Sequence, residues 1–118
     1  MNANRDKGHR FELEVINKFK EIGFPDAVSS RSQNRRLDDA KIDAAFTHPL
    51  AIQMKFTKTA PNFHTLLGEM QEACNKLPEV KGAYPVVFHK RANKGSTVTL
   101  RMEDFMEIIQ TLKTEKIY

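Results

Sequence analysis

Apolar residues recur at helical spacing in some stretches of the chain and alternate or cluster at strand spacing between them. Phe11, Val15, Ile16, Phe19 and Ile22 predict a helix over 10–22, ended by Gly23. Ala27, Val28, Ser29, Ser30 and Arg31 predict a short strand, and residues 32–41, with Gln33, Asn34, Arg35 and Arg36, read as a polar, basic loop. Ile42–Phe46 and Ala51–Phe56 read as two strands of a hairpin, with Thr47, His48 and Pro49 in the turn and Pro49 restricting how it closes. Pro61 and Asn62 open a helix over 62–77, whose stripe of Phe63, Leu66, Leu67, Met70, Ala73, Cys74 and Leu77 is the best amphipathic pattern in the chain. Pro78 ends it. Tyr84–His89 is apolar enough for a buried strand. Lys90–Ser96 is a basic loop, and Thr97–Met102 alternates as a strand with one wet face. Glu103–Lys113 predicts a last helix with Phe105, Ile108, Ile109 and Leu112 inward. The order helix, three strands, helix, two strands, helix predicts an α/β sandwich around one mixed sheet.

At 118 residues the chain has the length of a single domain, 1–118, too short for separate binding and catalytic modules. Its 40% hydrophobic and 29% charged content is that of a globular protein, not a disordered one. The net charge of +4 suits a polyanionic partner, although 15 acidic residues show that the surface is not uniformly basic. Cys74 is the only cysteine, which excludes an internal disulfide and fits a reducing, cytoplasmic setting. Met1–Arg10 is too polar for a signal-peptide core, and no stretch approaches the roughly 20 apolar residues of a membrane span. A soluble intracellular protein without a membrane partner is expected.

Polar groups stand at several places where packing alone would not put them. On a wheel of about 100° per residue, Glu12 lies roughly 45° from the centre of the first helix's apolar face, whereas Glu14 lies roughly 115° away, toward Lys18 and Glu21. Asp43 interrupts a predicted strand, where Asp is disfavoured, while Asp38 and Asp39 read as ordinary loop acids. Gln53 and Lys55 are two apart on the next strand and share a face, which Asp43 can meet across the hairpin. A purely structural reading has Glu12 snorkelling outward, Asp43 solvated at an edge, and a strand with one dry and one wet face. The chemical reading gathers carboxylates, an amide oxygen and an ammonium, the set that phosphodiester hydrolysis needs. Hard oxygen ligands hold Mg²⁺ or Mn²⁺, and a lysine stabilises developing charge.

Asp43 followed by Gln53-Met54-Lys55 resembles the core of the PD-(D/E)XK nucleases, an Asp and then Glu-X-Lys on the next strand. Lys7-Gly8-His9-Arg10-Phe11-Glu12 is similar to the start of archaeal-type Holliday-junction resolvases, where Lys-Gly precedes a helix whose early Glu helps bind metal. Gly23-Phe24, the helix over 62–77 and the strand holding Pro85-Val86-Val87 extend the similarity over roughly residues 7–90. The resemblance implies a restriction-endonuclease-like fold and an Mg²⁺- or Mn²⁺-dependent endodeoxyribonuclease, with a four-way junction or other branched DNA as substrate. Glu12, Asp43 and Gln53 would be the metal ligands, Lys55 would complete the catalytic set, and two active sites for paired nicks imply a homodimer. Two departures stand out. Gln53 replaces the usual Glu and supplies an oxygen without charge, and Ile42 stands where a Pro is expected.

For DNA contact the candidates are Arg31, Ser32, Arg35, Arg36 and Lys58, the two consecutive arginines because their loop leads into the Asp43 strand. Lys90, Arg91 and Lys94 read as scattered solubilising charge. His9, His48, His64 and His89 lack zinc spacing and read as structural or surface residues, and Cys74 as core. Two alternatives stay open: a general or DNA-end nuclease of the same fold from a phage or mobile element, and a catalytically decayed DNA-binding relative.

Overall fold

The computed structural model describes residues 3–118. Helix α1 (Ala3–Glu21) places Phe11, Val15, Ile16 and Phe19 in the core. It starts well before the expected 10, because polar residues without an apolar stripe extend a helix already nucleated by its packed turns, and Asp6 in the first turn favours that end. Ile22 lies beyond the helix and is exposed, and Gly23 takes the left-handed φ of 120° that turns the chain away.

Strand β1 (Val28–Ser29) pairs antiparallel with β2 (Ala44–Ala45). Between them the expected loop is instead two short helices, α2 (Ser30–Gln33) and α3 (Arg35–Asp39). Asn34 caps α3, its side-chain oxygen accepting from the Leu37 amide at 3.1 Å, and Leu37 is 1% exposed in the core. Helices this short hold one apolar residue each at most, so no periodicity marks them in the sequence.

Strand β3 (Leu50–Phe56) pairs parallel with β4 (Tyr84–Lys90), which pairs antiparallel with β5 (Ser96–Thr99). Helix α4 (Phe63–Lys76) crosses between the parallel strands, with Asn62 accepting from Thr65 N as its cap and Leu67, Met70, Ala73 and Cys74 buried. A single 3₁₀ turn (Pro78–Val80) then leads into β4. The hairpin expected from Ile42–Phe46 and Ala51–Phe56 does not form as a ladder. Residue Phe46 takes a left-handed φ of 63°, β2 pairs with β1, and the described residues form two sheets: β1-β2 and the mixed β3-β4-β5.

The sheet carries a core on each face. Ile52 and Met54 join Phe11, Val15, Ile16, Phe19, Ala27 and Ala44 beneath α1. Ala51 and Val87 join Leu37, Ile42, Leu67, Met70 and Cys74 beneath α4. The result is an α/β domain with a mixed sheet flanked by helices, and its long elements follow the expected order.

Helix α5 (Met102–Thr114) departs most from expectation. Phe105 and Ile109, expected inward, are 47% and 37% exposed, as are Met102 and Met106 at 81% and 57%. Its attachment is polar: Tyr84 Oη donates to Glu107 at 2.8 Å, and Arg101 at its N-cap bonds Gln71 of α4 and Asp104. Amphipathic spacing reports that one face favours cover, not which surface supplies it. No helix among the described residues is long and apolar enough to cross a membrane.

If α3 is a core element rather than a loop, Leu37→Ala should lower stability by about 2–4 kcal/mol in urea denaturation. A loss below about 0.5 kcal/mol, the usual range for surface substitutions, would return this segment to the surface.

Candidate functional site

The site is built around a seam. Ile42 belongs to the α4-side core and Ala44 to the α1-side core, so the backbone of Asp43 crosses from one to the other. It does so at the free edge of β3. The Asp43 amide donates to Ile52 O at 2.7 Å, and its carboxylate Oδ2 accepts from the Met54 amide at 2.8 Å. The Asp43 carbonyl accepts from Ser30 N at 3.0 Å, which ties the same residue to α2. A side-chain oxygen thus takes the place of a backbone acceptor in the sheet, and this is why an Asp is tolerated where strands usually exclude it.

Burial raises the Asp43 carboxyl from 3.8 to about 6, against the Met54 amide, which holds it down. Glu12 raises it further, Lys55 lowers it, and Asp38 adds a smaller upward push. Glu12, Lys55 and Asp38 therefore all lie within electrostatic reach of Asp43. Asp38, which reads as a plain loop acid in the sequence, belongs to this neighbourhood because α3 folds it there.

Glu12 and Glu14 separate as the wheel predicts, with side chains 22% and 41% exposed. Glu12 receives Arg31 Nη2 at 3.0 Å, and Arg31 Nη1 lies 2.6 Å from His9 Nε2. Glu14 instead takes Lys90 Nζ at 3.4 Å.

Gln53 is 2% exposed, and among the described residues its Oε1 has no hydrogen-bond partner. Strand alternation puts Gln53 and Lys55 on the α4 face with Ala51, and Ile52 and Met54 on the α1 face. Glu12 and Gln53 thus approach from opposite faces, with Asp43 on the edge between them. Among the described residues no three His, Cys, Asp or Glu side chains cluster as a metal centre. The oxygens a hard cation would take here are the Asp43 and Glu12 carboxylates, which lie within electrostatic reach of each other, and the buried Gln53 amide oxygen, which comes from the other face of the strand. His89 lies opposite Lys55 in the parallel register, buried and paired with Thr57 Oγ1 at 2.8 Å, a satisfied core histidine.

The expected DNA-contacting residues are largely engaged within the chain. Arg31 is held by Glu12 and His9, and Ser32 Oγ donates to Ser29 O at 3.1 Å. Arg35 meets Asp39 at 3.8 Å on an exposed turn. Arg36 pairs with Glu79 at 2.7 Å, and Asn34 also donates to that carboxylate, so Asn34 first and Arg36 after it hold Glu79 below its usual range. Lys58 is exposed just past β3. No protein-family model, curated protein or solved structure matches this chain.

The raised Asp43 value has a thermodynamic consequence. The folded chain holds this proton more tightly than the unfolded chain, so ionised Asp43 opposes folding above pH about 6, and the cost fades below pH about 4. Asp43→Asn should therefore be more stable than wild type at pH 8, on the order of 1–2 kcal/mol, and lose that advantage by pH 4. Urea titrations at the two pH values measure the difference. A variant less stable by the same amount at both would show that the carboxylate serves only as a sheet acceptor.

Proposed function

We propose that the chain is a divalent-metal-dependent endodeoxyribonuclease of restriction-endonuclease-like architecture, acting on branched DNA, foremost four-way junctions. The observation that carries this reading is Asp43. Its carboxylate is kept in a desolvated place at the edge of β3, with Glu12 and Lys55 in reach and an unsatisfied buried amide oxygen two strand positions before Lys55. An arrangement that opposes folding and leaves a buried acceptor unpaired is characteristic of a site kept for chemistry. The resemblance of Lys7-Gly8, Glu12, Asp43 and Gln53-Met54-Lys55 to the resolvase pattern points the same way.

Mg²⁺ or Mn²⁺ bound there would supply phosphate polarisation and water activation. Asp43, Glu12 and Gln53 would hold it, and Arg31 must then release Glu12, freeing its guanidinium for a phosphate. Lys55 would stabilise charge developing on the phosphate. Proton and cation compete for Asp43, so metal affinity should fall as pH drops through about 6.

Paired nicks need a second site, so the reading includes a homodimer. The uncovered apolar residues of α5, Phe105, Met106 and Ile109, are the surface that suits a second copy. Sedimentation should show a dimer at micromolar concentration, and Phe105→Glu should shift it toward monomer. A strict monomer, with and without junction DNA, would remove the resolvase reading and leave a general nuclease.

Cleavage of a labelled four-way junction with Mg²⁺ or Mn²⁺ tests the function. Paired symmetric nicks are expected, and indiscriminate degradation would favour the general nuclease. Binding without cleavage at any metal concentration would replace the proposal with a DNA-binding relative whose site has decayed. Glu12→Gln and Asp43→Asn should abolish cleavage with DNA binding retained. Lys55→Ala should lower the rate by orders of magnitude at saturating metal, with metal affinity little changed. Gln53→Glu should tighten Mn²⁺ binding in calorimetry, and unchanged affinity in that variant would remove Gln53 from the ligand set.

A further inference from the structure

The arginines expected to meet DNA are mostly spoken for, so the cations without partners are the informative ones. Lys7, Arg10 and Lys94 are among the cations that take part in no ion pair among the described residues. All of them line one open cleft of about 550 Å³, together with Lys90. Lys7 and Arg10 are three apart on α1 and share a helix face, while Lys90 ends β4 and Lys94 sits in the turn to β5. Phe11, Phe56, Ala92 and Asn93 also line it, and among the described residues Glu14 is its only carboxylate, already engaged by Lys90 at 3.4 Å. Four cations thus face one carboxylate. Such a concentration of like charge repels itself unless a polyanion answers it.

The position of the cleft matters as much as its charge. Glu12 and Arg31 lie on the flank of α1 toward β1, and the cleft lies on the other flank, toward β4 and the turn after it. Those flanks are separated by the width of a helix with its side chains, about 10–12 Å. That is close to the roughly 12 Å width of the DNA major groove, so one duplex can present a strand to each.

We infer that the cleft of Lys7, Arg10, Lys90 and Lys94 is a second DNA-backbone site, which takes the phosphates of a duplex arm on the far side of α1 from Asp43. The inference rests on the nuclease reading for the identity of the polyanion, but not on catalysis. The cleft groups neutralise phosphates and release counterions, and each such contact steepens the salt dependence of binding. Lys94 enters through a turn in which Asn93 has a left-handed φ of 59°, so the loop's fold, not its composition alone, brings this lysine over the cleft.

Anisotropy titrations of a fluorescent duplex in EDTA, over a range of salt, test it without any cleavage. The triple variant Lys7→Ala, Arg10→Ala, Lys94→Ala should bind at least tenfold more weakly, and its slope of log affinity against log salt should be shallower by about 2–3, at about 0.9 per contact. Lys7→Arg with Lys94→Arg should keep the wild-type slope, which separates charge from damage to the fold. An unchanged slope in the alanine variant overturns the assignment. So does displacement of the duplex by polyglutamate as effective as by unlabelled duplex, which would make the cleft an acidic-protein surface. A wild type that binds with the expected slope yet never cleaves would overturn the nuclease reading and leave the cleft standing. Cleavage with an unchanged slope in the alanine variant would do the reverse.

Discussion

The structure depends on how Asp43 closes the seam between two ladders. Strand β2 is committed to β1, and the free edge of β3 would otherwise present unpaired amides beside a short, irregular neighbour. The Asp43 amide satisfies Ile52 O and its carboxylate satisfies Met54 N, so one residue supplies both a donor and an acceptor to that edge. Buried backbone groups cannot be left unpaired at low cost, and this pair of hydrogen bonds fixes where the carboxylate stands. Both hydrophobic cores meet at the same point, Ile42 entering one and Ala44 the other, so the flanks of Asp43 are anchored on both sides. The same bonding that completes the sheet keeps one carboxylate partly out of water, and this burial, opposed by the Met54 amide and adjusted by Glu12 and Lys55, sets its charge.

Charge is sorted around that point in two ways. On the β1 side cations are balanced within the chain: Arg31 by Glu12, Arg35 by Asp39, Arg36 by Glu79. The Arg36–Glu79 contact, with Asn34 as a second donor, fastens α3 to the turn after α4. On the β4 side the balance fails, and Lys7, Arg10 and Lys94 surround an open cleft. Exposed pairs of the first kind contribute little stability each. Their effect is to decide which basic groups are free, and a count of lysines and arginines along the chain cannot make that distinction.

Much of the fold was legible as periodicity. Helical spacing located the buried faces of α1 and α4, since Phe11, Val15, Ile16 and Phe19, and Leu67, Met70, Ala73 and Cys74, each form a stripe long enough to repeat. Helices α2 and α3 were not legible, because Leu37 alone cannot make a period and the signal was a single capping residue, Asn34. The hairpin was misread because two adjacent strand-like runs do not reveal their partners: Phe46 turns the chain and β1 captures β2. Helix α5 shows the converse. Its amphipathic pattern is real, but Tyr84–Glu107 and Arg101–Gln71 dock it without burying Phe105 or Ile109.

The sequence by itself determined that Glu12 turns inward and Glu14 less so, and that Gln53 and Lys55 share a strand face. These follow from local geometry, the fixed rotation per residue of a helix and the alternation of a strand, which act over a few residues and need no partner. It also marked Asp43 as out of place in a strand. Only the tertiary structure decided what surrounds Asp43, that Asp38 joins it, that Arg31 covers Glu12, and that Lys90 and Lys94 meet Lys7 and Arg10 across the chain. Most of those contacts link residues far apart in sequence, and Asp38 reaches Asp43 only through the fold of α3. Their energies depend on burial and on which opposite charge lies nearest, and neither is set until the chain has folded.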